Sequence, residues 1–234
     1  MGKTIIQQAR GRGGPRYRTN KKAFRYTIKY PQIDFEGQGL VKDLMNVACY
    51  SCPIAKVKTE KGIFYNVATN GLCVGQNIEV GKNAQIKTGN ILPLAQMPIG
   101  TLICNIESFQ GSNGKFVRTG GICARIVKKE ENKIYVEMPS KKEKIFPGNI
   151  RATVGIIAAG GRKEKPILKA GKMVHIKNAR GGKVYPRTSA VKFNAVDHPF
   201  GSGRGKRIKS KIPKRNVPPG AKVGLLRPRR TGRG

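Results

Sequence analysis

The residues best equipped for chemistry lie together in Asn194-Ala195-Val196-Asp197-His198-Pro199-Phe200-Gly201-Ser202-Gly203-Arg204-Gly205. His198 and Phe200 are flat rings suited to stacking on unpaired bases. Arg204, Lys206 and Arg207 supply cations for phosphate oxygens. Pro199 disfavours a helical His198, so the stretch is expected to run extended. Gly201, Gly203 and Gly205 leave the backbone free to approach another surface closely. The chemistry is therefore recognition of a polyanion.

Little in the chain supports covalent catalysis. It has two histidines and 12 carboxylates, most of them in expected turns. His198 has no nucleophile or second base beside it in sequence, so it is a weak catalyst candidate. The phosphate loop, the metalloprotease helix and the serine nucleophile elbow all lack a match. No catalytic residue, metal ligand or cofactor is assigned. Cys49, Cys52, Cys73, Cys104 and Cys123 form an odd set without framework spacing, as expected of reduced thiols in a cytosolic setting. Cys49 and Cys52 have the spacing of half a zinc site, but no second close pair follows and both histidines are distant.

The elements that position this stretch sit in a strongly cationic chain of 234 residues with a net charge of +35. Residues 1–29 hold nine Lys and Arg with no acid, and 199–234 hold 12 with none, whereas the middle is mixed. Charge of this size opposes compaction unless an anionic partner offsets it. Nucleic acid fits that requirement through counterion release. A membrane partner is excluded as an expectation, because Trp is absent and no basic amphipathic helix is apparent. Met1-Gly2-Lys3 leads on to Gln7, Gln8 and Arg10 in place of an apolar core, so a secretory leader is not expected. Thr88–Ile106 carries no charge, but its glycines, prolines and asparagines read as buried connection and strand.

Two runs of short strands occupy the middle. Val41, Met45 and Val47 share one expected face. Ala55 and Val57 alternate with Lys56 and Lys58, and Ile63, Tyr65 and Val67 alternate with Phe64 and Asn66 in the next strand. Glu60-Lys61-Gly62 is the turn between them. With Ile78 and Val80 these suggest a small barrel of the oligonucleotide-binding type. Leu102–Ile106, Ile122/Ala124/Ile126, Ile134/Val136/Met138 and Arg151–Ile157 suggest a second. Around them, Arg10, Arg12, Arg16, Arg18, Lys21, Lys22 and Arg25 interleave with glycine and aromatic residues. Arg162, Lys163, Lys165, Lys169, Lys172, Arg180 and Lys183 punctuate a basic, glycine-rich connection. Such arms are expected to lack a packed core in free solution.

The chain resembles the universal large-subunit ribosomal protein L two family, in its archaeal and eukaryotic form. Carrying the resemblance are Asn194–Gly201, Gly160-Gly161-Arg162-Lys163-Glu164-Lys165-Pro166 with Leu168–Lys172, Gly89–Leu94, Pro218–Gly224 and Arg229–Arg233. It implies a mainly β fold. An oligonucleotide-binding barrel (37–90) precedes an SH3-like barrel (91–170), between basic extensions at 1–36 and 171–234. It also implies binding to large-subunit ribosomal RNA, contact with other large-subunit proteins and, across the interface, with the small subunit, and residence in cytoplasmic ribosomes. Support for subunit association, transfer-RNA binding and the peptidyl transferase centre follows from the same resemblance. RNA contacts are expected at the cations above and at Arg187, Asn194, Asp197, His198, Pro199, Phe200, Gly201, Gly203, Arg204, Lys206, Arg207, Arg229, Arg230 and Arg233. His198 matches a family histidine once proposed to assist peptide-bond formation, whose expected role is to support RNA geometry. The chain departs from the family pattern at Ala48–Ala55, where an RNA-contacting arginine is missing, and at Arg187–Phe193. Gly201-Ser202-Gly203 replaces three glycines. A histone-like nucleic-acid compactor is the alternative, which the two barrels argue against.

Overall fold

The computed structural model describes residues 3–18, 24–180, 184–203, 213 and 215–224. Two compact units divide the chain, one formed by Lys21–Lys172 and the other by Met1–Asn20 with Met173–Gly234.

The unit spanning Lys21–Lys172 is mainly β. Its strands are β1 (Gly37–Met45), β2 (Ile54–Thr59), β3 (Gly62–Val67), β4 (Asn77–Val80), β5 (Ile91–Pro93), β6 (Leu102–Cys104), β7 (Ala124–Glu130), β8 (Lys133–Glu137), β9 (Glu143–Pro147) and β10 (Arg151–Val154). They form one sheet in the order β3-β2-β1-β4-β5-β10-β6-β7-β8-β9. Every pairing is antiparallel except β4 with β5, which meet in parallel at Val80 and Ile91. The β2–β3 hairpin closes on the pair Thr59 and Gly62, with Glu60 and Lys61 at the tip. Thr59 Oγ1 donates to the Gly62 carbonyl at 2.9 Å, securing the turn. Gly39 has no alternative in β1, since a Cβ there would lie 2.6 Å from Val57 Cγ1.

Period-two alternation sorts neighbouring residues into two hydrophobic clusters. The first gathers Tyr30, Phe35, Val41, Ala55, Val57, Phe64, Ile78, Val80 and Ile91. The second gathers Ile28, Ile54, Val67, Leu92, Leu94, Ile103, Ile126, Ile134, Val136, Phe146 and Val154, among others. Ile54 and Ala55, Val67 and Ala68, and Ile91 and Leu92 each supply one residue to each cluster. In β3 the alternation resolves towards Phe64 and Asn66, with Val67 buried as well at the strand's end. Ile63 is 53% exposed. The uncharged Thr88–Ile106 window is connection, β5, a single 3-10 turn and β6, as its composition indicated.

A buried polar seam runs between the clusters. Tyr30 donates its hydroxyl to the Asn105 carbonyl at 2.6 Å and lies 2.8 Å from Thr153 Oγ1. Asn66 Nδ2 donates to Thr153 Oγ1, and Asn105 Nδ2 donates to Asn66 Oδ1. Burial pushes the Tyr30 phenol far up, so it remains a donor. Beside it, Arg151 is wrapped by both Glu107 oxygens and donates through Nη1 to the carbonyls of Pro31 and Gln32. The segment before β1 is thereby tied to β10.

Two helices escape the sequence pattern, α1 (Ile6–Gly11) and α2 (Ala170–Ala179). Neither contains a buried residue, so neither writes an apolar stripe into the sequence. No helix among the described residues is long and apolar enough to cross a membrane.

Candidate nucleic-acid interface

The signature stretch does not run extended. Asp197 and His198 both donate their backbone N–H to the Asn194 carbonyl, at 3.0 and 3.3 Å, and Gly201 N–H donates to the His198 carbonyl at 2.9 Å. Two successive turns result. Asn194 and Asp197 are residues that favour turns, and their local bonds outweigh the extended bias that Pro199 places on its predecessor. The turns close when Ser202 N–H reaches the Phe193 carbonyl at 3.4 Å. At that closure Gly201 is compulsory, because a Cβ would stand 2.4 Å from the Asn194 carbonyl oxygen. The close approach expected of this glycine is made to the chain's own backbone.

His198 is only 4% exposed. Its ring packs between Phe200, at 5.0 Å between centroids, and Phe193, at 6.3 Å. Nδ1 accepts the Phe200 backbone N–H at 3.1 Å, which places the neutral ring's proton on Nε2. Burial lowers the His198 pKa, so the ring is neutral at physiological pH. Phe200 is half-buried, and Gly224 sits over it so closely that a Cβ would meet Cζ at 2.8 Å. The two rings thus hold the turns together. The exposed residues of the stretch are Asn194, Ala195, Val196, Pro199, Ser202 and Gly203, with Asp197 half-buried.

Lys3 fastens the chain's start to these turns. Its N–H donates to the Val196 carbonyl at 2.9 Å and its Nζ lies 3.5 Å from Asp197 Oδ1. The ion pair is solvent-exposed and adds little by itself. A cleft of about 400 Å³ opens here, with Lys3, Gln8, His198, Pro199 and Pro219 among its walls. Arg10, Arg12, Arg16 and Arg18 are exposed in the same unit, and Arg18 Nε donates to the Gly13 carbonyl at 2.7 Å. Arg187 is exposed and Arg180 half-buried.

Further cations project from the strand unit. Arg25 is exposed, with its guanidinium 5.6 Å from the Tyr26 ring centroid. Arg162, Lys163, Lys165, Lys169 and Lys172 are all exposed. Their segment begins at a backbone-to-backbone crossing of two glycines, where a Cβ on Gly121 would lie 2.3 Å from Gly160 Cα. Lys21, Lys22, Lys183, Arg204, Lys206, Arg207, Arg229, Arg230 and Arg233 lie outside the described residues.

Sequence reasoning does not single out Lys61 or the cleft beside it. That cleft, of about 320 Å³, lies between the segment before β1 and the β2–β3 hairpin. Its only signal in the sequence is an isoleucine, Ile63, beside a turn lysine. All five cysteines are free thiols, and Cys52 Sγ donates to the Arg118 carbonyl at 3.7 Å. Burial raises the Cys49 and Cys52 thiols above their ordinary range, which disfavours the thiolate that metal binding needs. Among the described residues no group of three or more metal-ligating side chains converges.

The sequence is similar to known proteins along its whole length. Residues 87–218 match the family model described as Ribosomal Proteins L2, C-terminal domain. The chain is 44% identical to the large ribosomal subunit protein uL2 of Methanococcoides burtonii over the full length of both. It is 43% identical to that of Pyrobaculum aerophilum, covering all of this chain and 96% of the relative. With that of Sulfolobus acidocaldarius the identity is 42%, over all of this chain and 98% of the relative.

Proposed function

The chain belongs to the uL2 family and is a structural constituent of the large ribosomal subunit in translation, and from that premise we propose how it binds. Its ligand is large-subunit ribosomal RNA. The arginines of residues 10–18 and the cations of 162–172 neutralise phosphates, while the turns at Asn194–Gly203 present backbone and small side chains to a close-fitting RNA surface. His198 acts as the internal support of those turns. A buried neutral ring with one nitrogen already occupied shapes RNA indirectly, through the backbone it holds.

The strand unit is read as an oligonucleotide-binding barrel over 37–90 followed by an SH3-like barrel over 91–170, with basic extensions at 1–36 and 171–234. In this reading the barrels fix position and the extensions supply affinity. Lys21, Lys22, Lys183, Arg204, Lys206, Arg207, Arg229, Arg230 and Arg233 belong to the same RNA-binding set. Neighbouring large-subunit proteins, and the small subunit across the interface, complete the partners, and the setting is the cytoplasmic ribosome. Through its RNA contacts the protein supports subunit association, transfer-RNA binding and the architecture of the peptidyl transferase centre.

The observation that carries this reading is the end-to-end match to uL2 relatives in a chain of net charge +35. Sedimentation of gently lysed cells tests it. The protein should travel with large subunits and leave them only as salt is raised. A soluble pool at the top of the gradient, with subunits lacking the protein, would refute it.

A further inference from the structure

We infer that the cleft between Thr27–Phe35 and the β2–β3 hairpin holds a single unpaired nucleotide of the ribosomal RNA, its base against Ile63 and Tyr65 and its phosphates between Lys29 and Lys61. The inference rests on the RNA-binding reading above and names one subsite within it. The cleft measures about 320 Å³, at the small end of ligand clefts, which run roughly 300–1,000 Å³. That volume suits one nucleotide and excludes a duplex.

Its walls are fixed. Lys29 N–H donates to the Tyr65 carbonyl at 3.0 Å, holding the segment before β1 against β3, the terminal strand of the sheet. Tyr65 is backed by Tyr26, whose ring centroid lies 5.0 Å away at 55°, with the Arg25 guanidinium 5.6 Å from the Tyr26 centroid. Ile63 is 53% exposed, a large aliphatic side chain bordered by cations. Base stacking on such platforms is sequence-tolerant, and cations on either side complete recognition of the flanking phosphates. Lys61 and Lys29 are both exposed, and no carboxylate lines the cleft. A larger cleft of about 520 Å³ mixes Asp34 and Glu36 with Lys82 and with Arg151, the last already paired to Glu107, so it lacks the unopposed cations of the smaller one. A basic tail from a neighbouring protein would be repelled by the two lysines of the smaller one.

Ultraviolet irradiation of assembled large subunits, followed by nuclease and protease digestion and mass spectrometry, tests the assignment. A nucleotide adduct on Tyr65 is expected. Adducts on the arms with none on Tyr65 would overturn the subsite, as would a peptide cross-link there. Absence of adducts from the whole chain would instead overturn RNA binding itself. A second measurement uses the full-length Lys29→Ala/Lys61→Ala variant and purified large-subunit RNA. Without these two cations on single-strand phosphates, the plot of log affinity against log salt should be shallower by about 1.4. An unchanged slope would refute the paired phosphate contact. Both lysines are exposed, so an unaltered melting temperature is expected of the variant.

Discussion

Arg151 on β10 and Glu107, in the loop after β6, face each other in the interior of the strand unit. Nη2 and Oε1 are 2.9 Å apart, and the two side chains are 8% and 0% exposed. Glu107 also receives the backbone N–H groups of Arg151 and Asn113, and Arg151 passes two further bonds to Pro31 and Gln32. One ion pair thus joins a strand, a loop and the segment that leads in from the basic N-terminus.

Removing one partner should be far worse than removing both. Glu107→Ala strands a buried guanidinium and is expected to cost about 3–5 kcal/mol of unfolding free energy. Replacing the pair together, as Glu107→Leu with Arg151→Met, should recover much of the loss. Urea unfolding of the unaltered protein, Glu107→Leu, Arg151→Met and the double variant checks this, and additive losses would contradict the coupling.

The signature turns should weaken in acid. Burial depresses the folded-state pKa of His198 below its ordinary value of 6.5. The unfolded state therefore binds the proton first, and stability must fall as pH drops through 6.5 towards the folded value. Above 6.5 the contribution is complete. Ring resonances of Phe193 and Phe200 followed by NMR should broaden or shift over that acidic window. In His198→Phe the acid sensitivity should disappear.

Gly201→Ala should open the turns. Its new methyl would lie 2.4 Å from the Asn194 carbonyl oxygen, and backbone cannot yield as a flexible side chain can. A local cost of about 1–3 kcal/mol follows for such overpacking. Limited proteolysis within Asn194–Gly203 should accelerate, while the strand unit keeps its circular dichroism. Gly203→Ala is the control against mere substitution near Gly201, because a Cβ at Gly203 meets nothing, although its φ of 104° makes some strain unavoidable.

The exposed arginines Arg10, Arg12 and Arg16 should act as independent phosphate contacts. Changing all three to Gln is expected to flatten the salt dependence of RNA binding by roughly 2 to 3. Filter-binding affinities across a salt series measure it. A fall in affinity with no change of slope would assign these residues a role other than phosphate pairing.

Local chemistry made part of this molecule readable. The hairpin at Glu60-Lys61-Gly62 and the buried Ala55, Val57, Ile78, Val80, Ala124, Ile126, Ile134 and Val136 follow from alternation and turn residues. The phase of β3 did not, because apolar side chains occupy both of its faces and Asn66 turns inward to serve the polar seam. β9 buries Phe146 alone, too thin a pattern to see. The Glu107–Arg151 pair joins residues 44 positions apart, and α2 has no buried residue to betray it. At the candidate interface, the sequence pointed to a close backbone approach at Gly201, which the turns require, whereas a Cβ at Gly203 would meet nothing. That His198 and Phe200 would pack on each other rather than stand free depended on bonds across the turns, which residue types alone do not encode.

Strand order also sets a timetable. β5 bonds to β10 through Ile91 and Thr153, and β10 to β6, so the middle of the sheet is zipped by its last strand to be synthesised. A polypeptide emerging from the exit tunnel can close the β1–β4 pairings early, yet it must carry a raw seam until Arg151–Val154 arrives. Such distant pairing is slow, and through that interval the edges of β5 and β6 that β10 will cover stand open.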